Sequence, residues 1–456
     1  MKVIIQIGQL LLSLSILIIL HELGHFLFAR LFKTRVEKFY LFFNPWFSLF
    51  KVKKGETEYG IGWLPLGGYV KISGMIDESM DKEQLKKPPQ PYEFRSKPAW
   101  QRLFIMLGGV LVNLLLGFLI FAFILFTWGE KYLPNANLKD GIWVTDSVMY
   151  DSGLRTGDKI ISINGTEPEG FSNILEEMLY GGEVHILRNN RDTVVMLPQD
   201  FAGRIVDNSI HNRNRGFLIY PRIPFIISDV PDTSQNAGSG LEAKDRIMQL
   251  DNIPVKYADE IASILDTIRG KTVPVIVDRQ GEKHELTVKV NDNGKLGIVY
   301  GLLNYDQLDK LGVYDFATYN YTFLQSIPAG FQRAKNELLS YIRQIGLIFK
   351  FKSGAYKGVG GFGAIGNLFP PVWNWEAFWN ITALLSIMLA FINIVPIPAL
   401  DGGHVAFLMF EMITGRKPGD KFLEYAQMVG MFILLFLLLY ANGNDVYRLI
   451  LRLIGK

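Results

Sequence analysis

The sequence predicts a polytopic α-helical membrane protein that carries two copies of a small β-rich domain outside the membrane. Three observations lead there. Of the 456 residues, 49% are hydrophobic, a high share for a purely soluble chain of this length. Four uncharged runs, Val3–Leu20, Leu103–Trp128, Ala377–Leu400 and Ala426–Asn444, approach the roughly 20 residues that a helix needs to cross the hydrocarbon. Between the second and third runs, Ser152–Gly165 (SGLRTGDKIISING) returns as Ser239–Asn252 (SGLEAKDRIMQLDN), 87 residues later.

The first run flows into His21 and Glu22 with no small-residue cleavage site, so it is expected to stay as the first span, within residues 1–32. Residues 33–98 follow as a loop. From Arg30 to Arg102 there are fourteen Lys and Arg against eight acids, which places this segment on the cytoplasmic side. Within it, Glu58–Ser73 (EYGIGWLPLGGYVKIS) mixes aromatic, β-branched and Gly residues and is expected as a membrane-associated β hairpin. Lys82–Pro91 is a polar, Pro-rich connector.

The second span covers 99–128, the third 376–404 and the fourth 426–444, an even number of crossings that returns both termini to the outer side. The outer region holds the repeats, at 138–215 and 220–301. In each copy a small-residue turn leads to an acid and then to an apolar alternation, Ile160 and Ile163 or Ile247 and Leu250, as in a strand after a tight loop. This resembles the PDZ domain, which takes a peptide as an added strand beside a helix. The second copy has Lys244 and Asn252 where the first has Gly157 and Gly165. Two β-rich spacers are the plainer alternative. Residues 319–352 are amphipathic, with Arg333, Lys335, Arg343, Lys350 and Lys352, and fit a helix on the membrane surface or a structural brace.

With no cysteine, the chain can build neither disulfides nor thiolate metal sites, so a metal would rest on His and carboxylate. A net charge of +3 without a basic, aromatic-interleaved block excludes a nucleic-acid partner. His21-Glu22-Leu23-Gly24-His25 then stands out. Residues four apart on a helix face the same side, so both imidazoles can grip one zinc ion, with Glu22 beside them to take a proton from the attacking water. Ionisable groups within a span are costly, which argues for a function; residues that end a span at the interface are the plainer reading. A catalytic zinc needs a third protein ligand. Asp401, after the prolines of Asn393–His404 (NIVPIPALDGGH), is the candidate, with a helix cap as its alternative and His404 the next residue to consider.

HELGH, NIVPIPALDGG, LPLGGYVK and the outer repeats, in this order and over nearly the whole chain, together resemble the site-2 protease family, in particular its bacterial RseP-type branch. The resemblance implies an intramembrane zinc metalloendopeptidase with His21, His25 and Asp401 on Zn2+ and Glu22 as general base. It implies that Gly67, Gly68 and Tyr69 lie in a hairpin that pairs with unwound substrate, and that Asn393 and Asn113 serve substrate binding. Asn113 follows Gly109-Val110 where the family has Gly-Pro, and Gly361–Ile365 (GFGAI) stands for the family's Gly-Pro-Ile. A bacterial inner-membrane location with periplasmic PDZ-like domains is implied. So are single-span substrates already trimmed outside, such as anti-sigma factors or remnant signal peptides, with peptide termini or ectodomain stubs meeting the PDZ-like domains. A catalytically silent scaffold that binds peptides is the rival from another class, and a metal enzyme acting on a lipid or small amide is a second.

Overall fold

Prolines, glycines and charge breaks decide where the long helices stop. The computed structural model describes residues 2–65, 67–75, 88–211, 217–301 and 303–454. Most of the Lys82–Pro91 connector and the end of the first repeat, 212–215, lie outside them. The chain forms two compact units, one of Met1–Glu130, Asn320–Phe349 and Gly358–Lys456, the other of Lys131–Tyr319 and Lys350–Lys357.

In the first unit the long helices are α1 (Lys2–Leu31), α2 (Ala99–Trp128), α3 (Phe323–Phe349), α4 (Trp375–Ile394), α5 (Asp401–Thr414) and α6 (Asp420–Ile454). Among the described residues four of them, α1, α2, α4 and α6, are long and apolar enough to cross a membrane. The first span therefore continues past Leu20 and carries His21–His25 within its body. The third span is shorter than Ala377–Leu400. Val395 precedes Pro396, a position that disfavours helix, and adopts extended backbone (φ −61°, ψ 135°), so α4 stops at Ile394. Its 20 residues still reach about 30 Å at about 1.5 Å each.

Close packing is set by small residues. A Cβ on Gly24 would stand 2.2 Å from the Gly108 carbonyl oxygen, so α1 and α2 cross with backbones touching. Gly330 lets α3 meet α2 in the same way, where an added Cβ would stand 2.5 Å from Ala122 N. Arg333 of α3 donates to Asn380 Oδ1 of α4 at 2.9 Å and sits over the Phe121 ring of α2. The amphipathic segment thus forms a helix that packs against α2 and α4.

The loop after α1 is a four-stranded sheet, β1 (Val36–Leu41), β2 (Phe50–Lys54), β3 (Thr57–Ile61) and β4 (Tyr69–Ile72), in the order β2-β3-β1-β4. The hairpin expected over 58–73 is not formed, because β1 lies between β3 and β4, parallel to one and antiparallel to the other. Val36 and Tyr40 of β1 are buried, as suits a central strand, while all five residues of β2 are exposed. This leaves β4 at an edge.

In the second unit both repeats build a strand, a helix and a hairpin. The first has Lys159–Ile163, Phe171–Met178 and Gly182–Arg188 with Arg191–Leu197; the second has Arg246–Leu250, Ile261–Thr267 and Thr272–Arg279 with Glu282–Lys289. The repeated acid holds each copy together. Asp158 takes two hydrogen bonds from Arg188 at 2.8 and 2.7 Å, and Asp245 two from Arg279 at 2.7 and 2.8 Å. Burial alone would raise the Asp245 carboxyl, but the Arg279 guanidinium holds it below the usual carboxylate range. The exchanged glycines do not change the loops: Gly157 has φ +92° and Lys244 +77°, Gly165 +80° and Asn252 +62°. Asn252 tolerates this conformation; Lys244 is strained by it.

Candidate metal centre

Four residues apart on α1, His21 and His25 bring their Nε2 atoms to 3.3 Å from each other. The loop after α4 supplies the third group. Pro396 and Pro398 keep Val395–Leu400 from continuing the helix, Ala399 takes φ +77°, and α5 restarts at Asp401 with the carboxylate in its first turn. Asp401 Oδ2 lies 3.2 Å from His21 Nε2 and 3.3 Å from His25 Nε2. Both histidines are buried.

This triangle fits a zinc ion. Donors about 2.0–2.1 Å from one tetrahedral ion stand about 3.3–3.4 Å apart, which the three observed spacings match closely. Among the described residues no donor meets Asp401 Oδ2 in hydrogen-bond geometry, although the atom is buried and both imidazoles are near. A buried carboxylate oxygen without a hydrogen bond is expensive unless a cation occupies the space before it. The donor set, two imidazoles and one carboxylate, is that of a catalytic zinc with one position open.

The site opens on a cavity of about 620 Å³ lined by His21, Glu22, His25, Asp401 and His404, and along one side by Gly68–Ile72. Edge strand β4 thus runs beside His21, His25 and Asp401. Gly68 is needed for this approach, since a Cβ there would stand 2.6 Å from Ile18 Cγ2 and 3.4 Å from Glu22 Cγ. Gly67 packs over the Phe43 ring, and Tyr69 stacks on Tyr40 and Phe43 while its hydroxyl donates to Asn44 Oδ1 at 2.9 Å. Asn393, in the last turn of α4, places Nδ2 3.5 Å from His21 Nε2. Asn113 is fully buried, and its Nδ2 lies 3.1 Å from His21 Nδ1.

Several contributors escaped the sequence reading. His25 Nδ1 donates to the Ile105 carbonyl oxygen of α2 at 2.8 Å, which orients that ring. Gly109 makes room for both imidazoles: a Cβ there would lie 2.5 Å from His21 Cε1 and from His25 Nε2. On α6, Gln427 Oε1 accepts the Ala399 N–H at 3.2 Å, and Gly430 admits the Pro398 carbonyl, which an added Cβ would meet at 1.7 Å. The adjacent glycines at 108 and 109 and a glutamine inside an apolar run were the available signals.

Residues 9–437 match the family model described as Peptidase family M50. The chain is 25% identical to the regulator of sigma E protease of Haemophilus influenzae, covering 97% of this chain and 99% of that one. It is also 25% identical to the regulator of sigma-E protease RseP of Salmonella typhimurium, with 98% and 100% covered. A Thermotoga maritima protein whose name carries the words zinc metalloprotease is 26% identical over 96% of this chain and 98% of its own.

Proposed function

The chain belongs to peptidase family M50, and from that membership we propose that it is an intramembrane endopeptidase that hydrolyses peptide bonds within transmembrane segments of other proteins. It is a metalloprotease with zinc as its cofactor. The observation that carries the reading is the His21, His25 and Asp401 triangle, set between apolar helices with Glu22 in the same cavity.

When bound, zinc supplies Lewis-acid polarisation and lowers the pKa of water to about 7. The protein's own residues do the rest. Glu22, adjacent to His21 and in the cavity, takes the proton of the attacking water and returns it to the departing amine. A substrate helix protects its peptide bonds by its own hydrogen bonds, so it must unwind and find other partners before cleavage. Edge strand β4, running beside the ligands, offers backbone groups for an added strand, with Gly68 packed against Glu22 and Tyr69 following it. Asn393, whose Nδ2 lies 3.5 Å from His21 Nε2, helps hold that strand.

The substrates are single-span proteins already shortened outside, of the anti-sigma-factor type or remnant signal peptides, in a bacterial inner membrane with the repeats and both termini on the periplasmic side. The relatives named as sigma-E regulators and the basic loop from Arg30 to Arg102 support this. The repeats act as PDZ-like domains that meet peptide ends or ectodomain stubs and restrict entry. Their duplicated strand, helix and hairpin order supports that part.

The test is cleavage of a synthetic transmembrane peptide by the purified protein in detergent, with zinc content measured alongside. Glu22→Gln should keep zinc and lose about 10²–10⁴-fold in turnover, since an amide cannot accept the proton. Asp401→Asn should lose zinc as well, because it removes the one anionic ligand. A Glu22→Gln protein that cut as fast as the natural one would refute the general-base role. A natural protein that held zinc but cut no peptide would favour the scaffold.

A further inference from the structure

We propose that Asn113 is a positioning residue for the metal. Its amide oxygen accepts the Nδ1–H of His21 and so holds that imidazole in the tautomer whose Nε2 lone pair faces the ion. The inference rests on the zinc reading above and extends it to α2, which contributes no ligand.

An amide in the middle of an apolar span is expensive unless it is paired. Asn113 is fully buried, its Nδ2 as oriented lies 3.1 Å from His21 Nδ1, and its Oδ1 meets no donor among the described residues. The two ends of an Asn amide are nearly the same size, and rotation by half a turn exchanges them. Which end faces His21 is decided by the other side of the ring. His21 Nε2 is the atom that joins the triangle, 3.3 Å from His25 Nε2 and 3.2 Å from Asp401 Oδ2, so it must present a lone pair to a cation. The ring proton then sits on Nδ1. An NH2 group facing it would set donor against donor; only the amide oxygen completes the bond.

The neighbouring ligand follows the same scheme, with the Ile105 carbonyl oxygen accepting from His25 Nδ1 at 2.8 Å. Ile105, Gly109 and Asn113 are spaced four apart and so form one stripe on α2, reading acceptor, open space, acceptor. That stripe faces two histidines that are themselves four apart. Asn113 is also fixed from behind, because its backbone carbonyl accepts Ser386 Oγ–H of α4 at 2.8 Å. Groups that orient a metal-bound histidine are commonly worth 10–100-fold in metal affinity.

The experiment compares Asn113→Leu, which keeps the volume and removes the acceptor, with Asn113→Asp, which keeps an acceptor oxygen. Zinc occupancy of the full-length protein in detergent is titrated against buffered free zinc, and the melting of the metal-stripped forms is recorded as a check on folding. Asn113→Leu should bind zinc about 10–100-fold more weakly with little change in metal-free melting, and Asn113→Asp should stay near the natural protein. If Asn113→Leu cannot be produced, Asn113→Ala takes its place against Asn113→Asp. Natural zinc affinity in the Leu or Ala variant would overturn the proposal, as would an Asp variant that lost as much zinc as Leu. A raised KM with zinc fully retained would return Asn113 to substrate binding and overturn it too. Failure of the protease reading is seen separately, in the natural protein's own zinc content and peptide cleavage.

Discussion

Gly109→Ala is the sharpest test of how the metal centre is built, because it adds one methyl group and touches no ligand chemically. An ordinary carbon contact lies near 3.5 Å, whereas the new Cβ would meet His21 Cε1 and His25 Nε2 at 2.5 Å each. Each ring, or the helix that faces it, must therefore give way by about 1 Å. Zinc sites tolerate about 0.2 Å in ligand distance, so a shift of that size breaks the triangle. Helix α2 cannot simply retreat: the Gly24 and Gly108 backbones touch on one side, and Ser386 holds the Asn113 carbonyl on the other. Misplacement by about 1 Å is worth about 100-fold in rate, and zinc affinity should fall at least in proportion. Metal-free stability should fall by at most about 2.5 kcal/mol, since overpacking costs about 1–3 kcal/mol and Ala regains about 0.5–1 kcal/mol over Gly within a helix. Gly117→Ala is the control. Its Cβ would meet Ile387 Cδ1 at 2.6 Å, the movable end of a side chain, so zinc and turnover should survive. The assay is zinc content and transmembrane-peptide cleavage for both variants. Full zinc and near-natural turnover in Gly109→Ala would refute the claim that this glycine exists to admit the imidazoles.

Two further predictions concern the second unit. Lys244 holds φ +77°, a conformation that costs a side-chain-bearing residue about 1 kcal/mol, so Lys244→Gly should raise the unit's melting temperature by about 2–4 °C; an unchanged or lower melting point in calorimetry would show that the strain is compensated. Deleting residues 141–301 while keeping both neighbouring spans should leave cleavage of a short transmembrane peptide intact and admit a substrate whose outer domain is untrimmed; equal rejection of that substrate by the zinc-loaded truncation would assign the repeats to partner binding instead of entry control.

What could be read from the sequence was what is periodic or local. The four apolar runs become four long helices because length and composition alone decide that a segment is a span. The HELGH spacing lands both imidazoles on one face because a helix turn is a local property. The strand partners were less legible. Glu58–Ser73 has the composition of a hairpin, yet β1 pairs with both of its strands, and which strand lies between two others depends on tertiary contact. The loop Val395–Leu400 announced itself by its prolines, but nothing local in the chain revealed that Gln427 and Gly430 of a later helix would hold it.

Asn113 shows the same limit and a way past it. Inside an apolar bundle a polar side chain has little water to turn to, so it is commonly answered by a group of its own helix or of one packed against it. The described residues bear this out pair by pair: Gln9 Nε2 donates to the Pro370 carbonyl at 2.8 Å, Thr382 Oγ1 meets Ser13 Oγ at 2.9 Å, Ser386 Oγ donates to the Asn113 carbonyl at 2.8 Å, and Asn113 meets His21. Ser13 and His21 of α1, Asn113 of α2 and Thr382 and Ser386 of α4 thus mark one interior face that leads to the metal ligands. A polar residue interrupting an apolar run is therefore a candidate for one half of an interhelical contact. On that rule Asn113, alone in the uncharged stretch from Leu103 to Trp128 in bearing an amide, is expected to face the interior of the bundle, where the histidines of the neighbouring span stand.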